Sequence, residues 1–91
     1  MHKNIEILNS VCWDYDINAE DVFKILSTKD DSNYPITFDE IRYKVLRYIS
    51  FDKLQLIFTN SELKDIFQGI KLFKIRNNTN RSCIQSLLNE A

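Results

Sequence analysis

Glycine and proline are almost missing from this chain of 91 residues, which has one of each, Gly69 and Pro35. Tight turns between strands draw heavily on both, so their scarcity argues against a β-rich fold. A sole glycine also rules out a glycine-rich phosphate loop. Histidine occurs once, as His2, at a terminus. It cannot anchor a Ser/His/Asp or Cys/His constellation, and the ligands for a His/Cys zinc site are lacking. The two cysteines, Cys12 and Cys83, are too few for a disulfide framework and too far apart for a metal knuckle. A free, buried pair in a reducing cytosol is expected. No apolar run reaches the roughly 18 residues that cross a bilayer. The opening MHKNIEIL has neither the apolar core nor the small-residue cleavage site of a signal peptide. A cytoplasmic protein without cofactor, metal or enzymatic activity is expected.

What is present is the mixture of an ordinary globular domain, 44% hydrophobic and 27% charged. That length has room for one small domain, taken here as residues 1–91. Residues with AT-rich codons (Phe, Tyr, Met, Ile, Asn, Lys) number 40, against 8 for Gly, Ala, Arg and Pro, which suggests an AT-rich, bacterial genome. Net charge is −1, but it is unevenly distributed. Residues 1–41 carry nine acids and three lysines, whereas residues 42–81 carry nine bases and three acids. Either two surfaces of opposite sign steer two partners, or the halves neutralise each other across their contact.

Helix starts are written clearly. Asn18 with Asp21, Thr37 with Glu40, and Thr59 with Glu62 each place an acid three residues after a capping side chain. Apolar pairs span the same caps: Ile17–Val22, Ile36–Ile41 and Phe58–Leu63. Ser50 is a fourth cap, with Asp52 in the first turn where the helix dipole favours it. Buried stripes follow. The second helix presents Ile41, Val45, Tyr48 and Ile49, and a later one presents Leu63, Ile66, Phe67 and Ile70, with Gly69 marking a weakening or stop. Lys29 to Tyr34 reads as an exposed loop, Asn77 to Asn80 as a polar loop, and a last short helix begins near Arg81. Residues 3–12 fit a strand or a helix, with helix preferred. The expectation is an all-α, compact single-domain bundle of four to six short helices.

Two segments are candidate sites. The first is Trp13-Asp14-Tyr15-Asp16, where exposed aromatic rings could anchor a protein partner. Asp14, Asp16 and Asn18 have the opening spacing of a calcium loop, but Ala19 and Ile25 stand where that loop needs Gly and a bidentate Glu. An apolar-Asp-x-Asp stretch is also found in phosphotransferases, whose parallel sheet has no room here. The second segment is the strip KLFKIRNNTNR, in which Lys71, Lys74, Arg76 and Arg81 occur without an acid and with Phe73 among them. Such a strip could meet a phosphate backbone. Helices at about 51–58 and 60–68 have a helix-turn-helix outline, yet Glu62, Lys64 and Asp65 make a poor reading surface.

Taken together, VCWDYDIN and FDEIRYKVLRYISFDKLQLIFTNSELKDIF resemble an uncharacterised family of short bacterial helical proteins. Its members open on an aromatic-Trp-Asp-x-Asp motif and are often encoded beside nucleotidyltransferase-type toxins of abortive-infection systems. Trp13, Asp14 and Asp16 match the motif, while Lys44, Val45 and Leu46 match a following Arg-Val-Leu helix loosely. Cys12 stands where the family tends to have Phe. The resemblance implies a non-enzymatic interaction module, an antitoxin or accessory partner of such a toxin. A nucleic-acid binder using the basic strip is the alternative, and a homodimer is a third reading.

Overall fold

Each of the predicted cap side chains closes on the helix that it was expected to start. A computed structural model describes residues 4–12 and 16–89. The described residues form five α-helices: α1 (Ala19–Thr28), α2 (Phe38–Tyr48), α3 (Phe51–Leu54), α4 (Asn60–Ile66) and α5 (Asn78–Leu88). A 3-10 helix, Ile5–Val11, precedes them, and a 3-10 turn, Leu72–Lys74, lies between α4 and α5. There is no strand among the described residues. The radius of gyration, 12.2 Å, matches the value of about 12 Å for a compact 91-residue domain. No described helix is long and apolar enough to cross a membrane.

The caps of α1, α2 and α4 are full capping boxes. Asn18, Thr37 and Thr59 accept from the backbone N–H three residues on, and Asp21, Glu40 and Glu62 accept in return from the cap's own N–H. Ser50 caps α3 through the Lys53 N–H. Asp31, within the exposed loop, reaches forward and accepts from the first helical N–H of α2, at Phe38, at 2.6 Å. Orphan donors at a helix start are thus matched by side chains that the sequence places there.

The core is one cluster to which every α-helix contributes. Val22, Ile25 and Leu26 of α1, Ile41, Val45 and Leu46 of α2, and Leu63 and Ile66 of α4 are buried in it. The 3-10 helix packs on α1 and α2 and buries Leu8 and Val11. Ile5, Leu8 and Val11 recur every three residues, the period at which side chains of a 3-10 helix eclipse, so this stretch is wound more tightly than the expected helix.

Three expectations change. Tyr48 is not part of the α2 stripe, since it is 44% exposed and sits at the stripe's edge in the last turn. Arg42 takes a place in the core face instead, 8% exposed. The helix expected over 51–58 is a single turn ending at Leu54, although Ile57 and Phe58 still point inward. This removes the helix-turn-helix outline. The polar run Asn77 to Asn80 is no loop: Asn77 caps α5, which begins at Asn78. The capping Asn and the first turn are polar because they face an end of the helix, a signal that composition alone disguised as a loop.

Arg42 and Asn80 are the two buried polar residues among those described. The Arg42 guanidinium donates from Nη1 to the carbonyls of Ile66 and Gln68, at 3.2 and 2.9 Å, and from Nη2 to Asp39. It therefore closes the C-terminal end of α4, where unpaired carbonyls and the helix dipole favour a cation. Asn80 donates to the carbonyls of Leu46 and Ile49, both at 2.7 Å, and accepts from the Phe51 N–H at 2.9 Å. One side chain from α5 thus ties the end of α2 to the start of α3.

Candidate polyanion-binding cleft

The helix α2 has two working faces. One is the core stripe. The other carries Glu40, Tyr43, Lys44, Arg47 and Tyr48, spaced i, i+3, i+4, i+7 and i+8, and therefore aligned along one side of the helix. Opposite this face runs the segment after Gly69. Ile70 and Ile75 are buried, at 7% and 1% exposure, and pin the segment at both ends. Between them Lys71 donates its backbone N–H to Tyr43 Oη at 3.0 Å, and the 3-10 turn closes by Lys74 N–H to Lys71 O at 3.0 Å. The result is a cleft of about 360 Å³ between α2 and this segment, with Ile36 also contributing to its lining.

Among the described residues four cations line it, Lys44, Arg47, Lys74 and Arg76, against one carboxylate, Glu40. That carboxylate is already engaged, because its Oε1 accepts from the Thr37 hydroxyl at 3.0 Å in the α2 capping box. Two cations are held by aromatic faces. The Arg47 guanidinium lies over the Tyr48 ring at 5.4 Å, and the Lys74 ammonium lies over Tyr43 at 5.9 Å. A cation above a π-face keeps its charge while the ring quadrupole attracts it. The cleft is thus a positive concavity floored by phenol rings, whose cations come from α2 and from the segment after α4.

Of the basic strip, Lys74 and Arg76 reach the cleft. Lys71 is exposed beside it and joins it through its backbone bond to Tyr43. Arg81 is placed elsewhere, half-buried on α5 with its guanidinium bonded to the Asn78 side chain. Lys44, Arg47, Tyr43 and Tyr48 are the members that reading along the chain missed as a site. Their i, i+3/i+4 spacing was visible, but nothing local joined it to Lys74, some 30 residues on.

Trp13, Asp14 and Tyr15 lie outside the described residues. Asp16 is exposed, and nearby Asn18 gives its side-chain oxygen to the α1 cap at 2.9 Å rather than to an ion. Glu6 and Glu20 border a smaller cleft of about 290 Å³ at the junction of the 3-10 helix with α1, with no basic side chain among the described residues of its lining. Among the described residues no three His, Cys, Asp or Glu side chains are grouped to hold a metal ion. Both cysteines are free and only partly buried. Burial pushes the Cys12 thiol above its ordinary pKa, with Lys44 pulling it down and Asp21 adding to the rise.

Two ion pairs join the acidic and basic halves: Lys29 of the acidic half pairs with Asp65 of the basic half at 3.1 Å, the reverse of the sign pattern, and Arg42 of the basic half pairs with Asp39 of the acidic half within α2, in keeping with it. No family model, curated protein or solved structure matches this chain.

Proposed function

We propose that this protein is a non-catalytic nucleic-acid-binding module that grips a phosphate backbone in the α2 cleft. The observation that supports it is the convergence of Lys44, Arg47, Lys74 and Arg76 on one concavity whose sole acid among the described residues is bonded to a helix cap. A chain of net charge −1 can still do this. Screening at physiological salt falls off over about 8 Å, so distant carboxylates do not cancel a local cluster of cations. Phosphate contacts of this kind supply affinity without sequence readout.

Amide chemical-shift mapping with a short oligonucleotide tests the proposal. Shifts confined to residues 40–48 and 70–76 support it. Shifts elsewhere, or none at millimolar ligand, contradict it. Lys74→Ala with Arg76→Ala weakens binding, whereas Arg81→Ala leaves it unchanged, because Arg81 does not line the cleft.

A second reading is favoured by the acidic cleft bordered by Glu6 and Glu20, close in sequence to Asp16. In that reading the Trp13–Asp16 segment anchors a protein partner with a basic surface, such as the nucleotidyltransferase toxin implied by the family resemblance. Free cysteines fit a reducing, cytosolic setting for either role.

A further inference from the structure

Phe73 is 76% exposed, more than any other large apolar side chain among the described residues. Its exposure is built in. Leu72 before it packs against the core, Ile70 and Ile75 are buried on either side, and the Lys71 and Lys74 backbone bonds fix the turn. The ring is therefore presented by an ordered turn, next in sequence to Lys74, which lines the cleft. The two tyrosines of the cleft already have cations over their faces, whereas no ring or cation contact of Phe73 accompanies them. An open aromatic face on a turn that also carries Lys71 and Lys74 fits a base whose own face is open.

We infer that the ligand of this cleft is single-stranded nucleic acid, with Phe73 stacking on an unpaired base while the cleft cations hold the adjoining phosphates. This rests on the nucleic-acid reading above and goes beyond it. A duplex keeps its base faces stacked inside, so it can satisfy the cations but cannot cover Phe73. A single strand does both. Stacking is indifferent to base identity, since every base has a π-face, so the module discriminates strand state rather than sequence.

Fluorescence anisotropy at one fixed salt concentration tests this with three probes of about 12 nucleotides: a mixed-sequence single strand, its duplex, and an abasic strand that keeps the phosphates. The single strand binds about 5-fold or more tighter than either of the others, the scale of one base–aromatic stack. Phe73→Ala weakens the single strand by about 5- to 100-fold, the range for one lost base–aromatic stack. It leaves the duplex and abasic strand unchanged, and Phe73→Trp retains binding. The melting temperature of Phe73→Ala stays at the wild-type value, because the ring contributes little to the core. Equal affinity for all three probes, or no effect of Phe73→Ala, overturns the single-strand inference while the phosphate-gripping reading stands. Failure of all three probes to bind overturns both, and leaves Phe73 to a protein partner.

Discussion

Asn80 satisfies three backbone groups that the α2–α3 junction would otherwise bury unpaired. Burying an unmatched donor or acceptor costs about 1–3 kcal/mol, so Asn80→Ala is predicted to destabilise the protein by about 2–4 kcal/mol in urea unfolding. Asn77→Ala, which removes only the α5 cap bond, costs about 1 kcal/mol. Equal losses at the two positions would contradict the central role given to Asn80. Gly69 has a left-handed backbone, φ +74°, with open space where a Cβ would go. Gly69→Ala is therefore predicted to cost about 1 kcal/mol from conformation alone, with no steric rearrangement. Lys29 adopts the same region at the end of α1, φ 63°, and holds Asp65 from there. At Cys12 the folded state favours the neutral thiol. Its contribution is whole below the ordinary thiol pKa and is lost as pH rises through the raised value. Thiolate-directed alkylation at mildly alkaline pH is consequently slower at Cys12 in the folded protein than in the unfolded chain.

Helix α2 shows what a sequence discloses and what it hides. Its start was legible because Thr37 and Glu40 interact across three residues, and its core stripe because Ile41 and Val45 repeat at helical spacing. Arg42 was counted only as a charge. Its place in the core depends on the carbonyls of Ile66 and Gln68, which lie on another element and leave no local mark. The cleft was half legible for the same reason: a run of bases after Gly69 can be seen, but the face of α2 that meets it cannot be paired with it from spacing. Asn80 was hidden more thoroughly, because an Asn among other polar residues looks like a loop whether it is solvated or buried. Glu40 links the two faces of this helix. Glu40→Gln removes the one acid of the cleft and weakens the α2 capping box. Binding of a nucleic acid is predicted to tighten by about 2- to 5-fold, the scale of one partly exposed charge pair. Thermal unfolding reports the accompanying loss, on the order of 1 kcal/mol or less. Weaker binding would place the ligand outside the cleft.

Across the whole molecule, charge is segregated while net charge is near zero, and the account depends on that local segregation. Four cations gathered from α2 and from the segment after α4 form a site that no single stretch of chain contains. The most direct measurement is the affinity for a single-stranded oligonucleotide as a function of salt. With four phosphates neutralised, the slope of log K against log salt is predicted to be about −2.8, and about −1.4 for the Lys74→Ala, Arg76→Ala double variant, given roughly −0.7 per phosphate on a single strand. A slope near zero, or one that the double variant leaves unchanged, would contradict the cleft as the site of binding.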